Sequence, residues 1–485
     1  MKKTFRRILF WLLFVLFLIT APVAILYSQG YRFDQGKMIF VHSGAITVKS
    51  VPSSVNLSLD EKPQPAKALD VINGSITLGG LRPSSYRVRA SLDGYSDWEK
   101  TAEVHSGLST EFWNVVLVPK NPELVKIASH DTARFFPSPF GKKIAFVENL
   151  DRGISLLVTD FKKNEFEELF LADNVSFSEN KLDNLEWNYK EDLMLSPIIK
   201  DGKSDYLVTS AEKLIEPVFL SEISKLSFVQ KARWSPKEKD VIYFLATDKI
   251  TGKEGLFRIS LGNGSAQLVI PEAKTYDISQ DAIYYIQNNN ILFNSDLDGG
   301  NVSQIAGNPL SENDIGKSAR LIVYDDDRQA LITEKGELIL RNNGAESFLR
   351  KISDGSQGIQ FSDDGKKLLF WTDNEISVMF LRPWEVQPYR EENEMQTIIR
   401  LSTPLENVFW FKDYEHVFFS TQNKIKLIEL DPRDHRICLD VFENNLDDFP
   451  ATYDSGNGYY FFVRDTGGDK KIFYFILPEK TGIFG

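Results

Sequence analysis

One cysteine, Cys438, stands in a chain of 485 residues, which excludes an intrachain disulfide framework and a Cys-based metal centre. It lies in HRICLDVF, flanked by apolar residues at strand spacing, and reads as a buried structural thiol. Histidine is scarce too. The five, His42, His105, His130, His416 and His435, show no ligand spacing, and His416 and His435 fall at predicted turns where a solvated side chain is expected. No Gly-x-Ser-x-Gly elbow is present to carry a nucleophile. The nearest approach to a phosphate loop, GNGSAQ, joins two predicted strands and does not open a helix. The expectation is a protein that is not an enzyme, with no catalytic residue, metal ligand or cofactor.

Positive charge is in deficit, with 56 Lys and Arg against 68 Asp and Glu, a formal net charge of −12. Lys2, Lys3, Arg6 and Arg7 contribute +4 at the extreme N-terminus, which leaves −16 on the remainder. Nucleic-acid binding needs Lys and Arg patches to meet phosphate, so no nucleic-acid partner is expected. Those four cations precede ILFWLLFVLFLITAPVAILY, an uncharged run of 20 residues from Ile8 to Tyr27. At 1.5 Å per residue such a run crosses a hydrocarbon core of about 30 Å. A secretory leader has a shorter apolar stretch of about 7–15 residues and a small-x-small cleavage site, which APVA matches poorly. The reading is an uncleaved signal anchor in contact with the bilayer through residues 8–27, with a cleaved leader as the alternative. Because basic residues stay on the cytoplasmic side, residues 1–7 form a cytoplasmic tail and the bulk of the chain lies outside a single-pass plasma-membrane span.

The rest is β composition: Val, Ile, Phe and Tyr in short runs between Gly, Asp and Asn, and hardly any capped amphipathic helix. Residues 28–43 form a connector. In GAITVKSVPSSVNLSLD, Ile46, Val48, Val55, Leu57 and Leu59 alternate with polar residues, the period-2 mark of half-buried strands. Similar strands at ITLGGL, SYRVRASL, WEKTAEVH and EFWNVVLVP complete a small β-sandwich over 44–119. Together with LRPSSYRVRASLDGYSDWEKTAEVHSG and the closing NVVLVP, this segment resembles the PEGA domain, a small β module of microbial surface proteins. It departs from that pattern at Pro52-Ser53-Ser54-Val55 and at Ser84-Ser85 before Tyr86. The resemblance implies an extracytoplasmic, non-catalytic module.

From 122 to 477 the chain is periodic. The residues that end each repeat's first strand are Phe136, Trp187, Trp234, Ile278, Tyr324, Phe361, Trp410 and Tyr453, spaced 37 to 51 residues apart. That is the spacing of four-stranded propeller blades. A polar turn and a very hydrophobic strand follow each anchor, among them KIAFVE, VIYFLAT, KLLFWTD and YYFFVRD. The last repeat is one strand short, whereas ELVKIA (123–128) precedes the first repeat without a partner, so circular closure is predicted. FSDDGKKLLFW and LFNSDLDGGNVSQI resemble the turns of TolB-type, WD-like propellers. The expected fold is all-β: an N-terminal transmembrane helix, the PEGA-like sandwich, a propeller of seven or eight blades with eight favoured, and a tail at 478–485.

The oxygen-rich DLDGGN (296–301) and the run Asp325, Asp326, Asp327 read as hairpin chemistry, since they lack the spacing and the bidentate Glu of a calcium loop. The sequons at Asn56, Asn174 and Asn301 matter only in a host that glycosylates them. One insertion, FLRPWEVQPYREENEM (380–395), offers Trp384 and Tyr389 as candidate partner contacts. The functional expectation is a membrane-anchored, extracytoplasmic binding or scaffold module of the cell envelope, with a protein or polysaccharide partner at a propeller face. A carbohydrate-active enzyme or lectin with its site in the propeller channel is the alternative.

Overall fold

In a computed structural model of the chain, residues 3–34, 38–64, 74–127, 132–150, 153–160, 166–178, 180, 183–213 and 215–478 are described. His130 lies outside them. The apolar run forms one helix, Lys3–Ser28, and its apolar side chains are exposed all round, with Phe10, Trp11 and Phe17 more than half accessible. By length and composition this helix could cross a membrane as an anchor or serve as a signal sequence. A short hairpin, Tyr31–Asp34 with Ile39–His42, occupies what the sequence presented as a connector.

Next comes a small two-sheet module. Gly44–Val51 pairs antiparallel with Ile76–Leu81 and parallel with Ser109–Val116. The second sheet holds Asn56–Leu59, Lys62–Pro63, Ser84–Ser91 and Trp98–Val104. The inward-facing residues of both sheets, among them Ile46, Val48, Val88, Trp98 and Phe112, share one core.

The remainder is a succession of eight antiparallel sheets of four or five strands. The second strand of each is buried on both faces: Val241–Thr247 and His416–Thr421 are buried almost throughout, whereas the outer strands are largely exposed. A sheet with two apolar faces needs a neighbour on each side, and each neighbouring pair here shares a hydrophobic cluster. The circle closes. Phe461, Val463 and Ile472 of the last sheet pack with Phe135, Ile144 and Phe146 of the first. Val125–Lys126, drawn from before the first sheet, adds the outermost strand of the last one, pairing with Tyr474 and Phe473. This is a β-propeller.

The repeated aromatic stitches one sheet to the next. The indole N–H of Trp187 donates to the Phe136 carbonyl (3.2 Å), that of Trp234 to Glu186 (3.0 Å) and that of Trp410 to Gln360 (3.0 Å). The Tyr324 hydroxyl donates forward, to the Asp363 carbonyl (2.6 Å). A buried ring thus fills the gap between blades and its one polar atom satisfies a neighbouring strand's carbonyl.

Ile127 is buried between the last and first sheets, and its N–H donates to the Ile472 carbonyl at 2.9 Å. Ile127→Ala should cost about 2–4 kcal/mol in urea unfolding. Deleting 122–127 should lower the melting temperature of the whole ring. An unchanged melting profile would mean that this strand does not close the circle.

Candidate functional site

Two places concentrate buried charge. The first joins the small module to the sixth and seventh sheets. On Trp98–Val104 the buried residues are Trp98, Lys100, Ala102 and Val104, so a lysine sits on the apolar face of a strand. Its ammonium is fully buried, 2.5 Å from a Glu429 carboxylate oxygen, and donates to the carbonyls of Asp431 (2.8 Å) and Arg433 (3.1 Å). Glu429 also accepts from the Trp98 indole (3.3 Å) and the Ile437 amide (2.8 Å). Arg433 is held by both Asp431 oxygens, donates to the Glu111 carbonyl (2.8 Å) and lies over the Phe112 ring (4.2 Å). Arg433 and Lys100 together hold Asp431 below the usual carboxylate range, against the upward pull of its burial.

Behind this joint lie His416, Asp413, Glu415 and Lys367. His416, expected at a solvated turn, is 5 % exposed: it opens the second strand of the seventh sheet opposite Glu429, and the Phe411–His416 turn folds its ring against Asp413 and Phe411. Its Nδ1 lies 2.8 Å from Asp413. Burial lowers the His416 pKa, but Asp413, Glu429 and Glu415 outweigh it and the net shift is upward. Glu415 pairs with the buried Lys367 ammonium, yet burial still leaves its pKa raised. Lys367 in turn rests 3.7 Å from the Trp384 ring.

The insertion at 380–395 belongs to the same joint. Gln387 accepts from the Glu111 amide and donates to the Ser109 carbonyl, both at 3.0 Å, clamping the small module's last strand. The two proposed contact residues part company: Trp384 is half-buried over Lys367, whereas Tyr389 is 66 % exposed. Of the other histidines, His105 and His435 are exposed beside Glu103 and Asp434, and the His42 ring meets Tyr31 edge-on. Cys438 is half-buried at the start of a strand, and burial pushes its thiol up to about 11. DLDGGN is a tight hairpin, with Gly299 at φ +83° and Asn301 donating to Asp296 at 2.6 Å. Asp325 grips Arg328, and Asp326 accepts from the Tyr284 hydroxyl. Among the described residues no group of three His, Cys, Asp or Glu side chains could hold a metal ion.

The second place is the channel, lined by the first strands of the sheets; those of the fourth and fifth, and of the seventh and eighth, lie close together. Toward the ends where these strands begin stand Arg134, Lys231 and Arg320, each held by backbone carbonyls. Arg134 donates to the Asn184 side chain (2.9 Å) and the Asn180 carbonyl (3.3 Å), and Arg320 to the Gln357 carbonyl (3.1 Å). Lys231 reaches across the fourth sheet to the carbonyls of Lys274 (3.4 Å) and Ala319 (2.5 Å). One level along, Arg233 joins Glu186 (3.0 Å) to Asp277 (2.7 Å), and Asp277 accepts from the Val323 amide (2.8 Å). In sequence these residues look like ordinary surface charge, and only the packing of neighbouring blades links Glu186, Arg233 and Asp277.

Removing one member of a buried ion pair strands the other. Lys100→Met should cost about 3–5 kcal/mol in chemical unfolding, and Glu429→Gln added to it should recover part of that loss. His416 has its folded pKa above the unfolded value of about 6.5, so its contribution is complete below that pH and disappears as pH rises through the folded pKa. The melting temperature of the intact protein should therefore carry a downward component above about pH 6.5 that His416→Gln removes. A pH profile identical in the variant would show that the pair contributes nothing.

No known protein family's sequence model matches the chain, and no characterised protein matches it in sequence. Its coordinates are similar to those of Saccharomyces cerevisiae Sqt1, at 11% identity and TM-score 0.46 over 74% of this chain and 99% of that one. The Dos1 propeller is 13% identical at TM-score 0.43, over 75% and 96% of the two chains. An oligogalacturonate lyase from Vibrio parahaemolyticus is 11% identical at TM-score 0.39, over 75% and 93%. Similarity at this level carries no function across to this chain.

Proposed function

We propose that the chain is a membrane-anchored, extracytoplasmic binding or scaffold protein in which a PEGA-like sandwich holds an eight-bladed propeller at a set angle from the bilayer. The observation that supports this reading is the joint itself. Lys100, Glu429, Asp431 and Arg433, with the Gln387 clamp, fasten module to ring through buried, mutually satisfied charges. Any other seating of the module would leave one of these buried charges unpaired, which favours a single orientation. The Lys3–Ser28 helix would anchor one end of this arm, and the blade loops would meet an envelope protein or polysaccharide at the other. The exposed Tyr389, two residues from the clamp, would be a contact residue beside the module. The buried titratable groups at the joint are engaged in holding the modules together, which favours a binder over an enzyme. A lectin or glycan-cleaving channel would call for carboxylates converging with aromatic platforms. The channel carboxylates Glu186 and Asp277 are instead paired to Arg233.

A reporter fused after residue 120 should be active only outside the cytoplasm, and a cytoplasmic signal would overturn the topology. Affinity capture with the intact chain from its native membrane should retrieve a partner whose recovery falls at least fivefold with Tyr389→Ala.

A further inference from the structure

The uncharged run of 20 residues from Ile8 to Tyr27 uses up the span. At 1.5 Å per residue it covers about 30 Å, so Tyr27 falls where the hydrocarbon core ends. Whatever packs on the last turn of the helix then stands in the headgroup layer, which is only roughly 5–8 Å deep.

The hairpin of Tyr31–Asp34 and Ile39–His42 packs there. Phe40 meets the Tyr27 ring edge-on at 6.4 Å and the Phe33 ring at 5.3 Å. Arg32, the first cation after the span, lies 5.0 Å over the Tyr27 ring and donates to the Tyr27 carbonyl (3.2 Å). An amphipathic tyrosine with an arginine drawn over it suits the edge of a bilayer, where an apolar body and a polar tip are both satisfied. Beside this aromatic cluster Met38 and Ile39 are more than half exposed, and Met38 holds a left-handed backbone at φ +55°.

The small module is fastened to the same place. The Ser43 N–H donates to the carbonyl of Gly30, two residues past the helix (2.8 Å), and the Gly107 N–H donates to the Ser43 carbonyl (3.3 Å). The Leu108 carbonyl accepts from the Ala45 amide (3.0 Å), while its side chain is more than half exposed. Two glycines of the module let the hairpin in. A β-carbon at Gly107 (φ +75°) would stand 3.2 Å from the His42 ring, and one at Gly80 (φ +77°) would stand 3.2 Å from the Arg32 guanidinium. The helix end, the hairpin and the Gly107–Leu108 turn therefore form one seat. Its exposed rim is apolar in a chain whose formal total is −12.

We propose that Met38, Ile39 and Leu108 enter the headgroup layer, so that the small module stands directly on a lipid surface and the hairpin is an interfacial foot. Apolar side chains at that depth add buried area to the anchor. A free linker would let the ring swing, whereas a seated hairpin carries the orientation fixed at the Lys100 joint through to the membrane plane. The assignment rests on the membrane-anchored reading above and deepens it.

The test uses the full chain in phosphatidylcholine vesicles. In a Cys438→Ala background one cysteine at a time is labelled with a fluorophore, from Phe17→Cys, Ile39→Cys, Leu108→Cys and Ile250→Cys. Ile250 is 95 % exposed, on the loop between the second and third strands of the third sheet, which opens on the ring face away from the joint. Lipid spin-labelled at the headgroup should lower emission from the Ile39 and Leu108 positions about twofold and leave that from Ile250 unchanged. Lipid spin-labelled deep in the acyl chain should quench the Phe17 position, at the middle of the span. Headgroup quenching should persist in high salt, because apolar insertion is not screened. Quenching abolished by salt would mean a charge-driven contact and overturn the proposal. If either Ile39 or Leu108 matches Ile250 while Phe17 is quenched, the interfacial foot falls and the anchor stands. If Phe17 is not quenched, the anchor falls and the foot with it.

Discussion

A sheet that is apolar on both faces cannot sit at a surface, and that requirement governs the ring. Each second strand has a buried centre, and Val241–Thr247 and His416–Thr421 are buried almost throughout, which is affordable only when another blade lies on either side. A linear stack would leave its first and last sheets exposed. Closure removes both ends, and it is completed by a segment from before the first blade, with Val125 and Lys126 on the last sheet and Ile127 between the last and first. The ring's two chain ends are thereby held in one sheet, so opening the circle means breaking strand pairing and a hydrophobic cluster together.

The joint between module and ring follows a different logic. Hydrophobic contact is present, since Val116 and Val118 pack with the seventh and eighth sheets, but it has little directional preference. Direction comes from Lys100, whose ammonium needs Glu429 and two carbonyls placed within about 3 Å. Any other seating would leave a buried cation unpaired, at a cost of several kcal/mol. The apolar contacts thus supply affinity and the charged ones select the orientation.

The anchors were readable because they recur at one place in each blade, aromatic in all but the fourth, where Ile278 stands. An aromatic ring of the right size, at a spacing of 37 to 51 residues, fills the wedge between sheets, and Trp187, Trp234 and Trp410 all spend their indole N–H on a neighbour. The unpaired ELVKIA was legible for the same reason: a periodic pattern exposes its own missing piece. The joint was not, because Lys100 and Glu429 are 329 residues apart and no local pattern links them. One signal was available nonetheless. In Trp98-Glu99-Lys100-Thr101-Ala102 the alternation puts Lys100 on the face of Trp98 and Ala102, and a charge on the apolar face of a strand announces a buried partner elsewhere. His416 misled for the opposite reason: Asp-Tyr-Glu-His reads as a polar turn, but pairing opposite Glu429, which the module's Trp98 covers, makes it interior.

The channel shows how a regular fold acquires a particular chemistry through its irregularities. Seven inner strands are continuous and that of blade two is split; that of blade three is bulged twice. A strand that follows the pleat sends alternate side chains into the neighbouring blades, where they must be apolar or paired, as in the Glu186–Arg233–Asp277 link. Only a residue displaced from the pleat can extend along the axis toward a blade that is not its neighbour, and Lys231 does so at the cost of a left-handed backbone. The inner strands of blades four and seven carry single bulges as well, so closure supplies the frame and local departures from the pleat re-aim side chains within it.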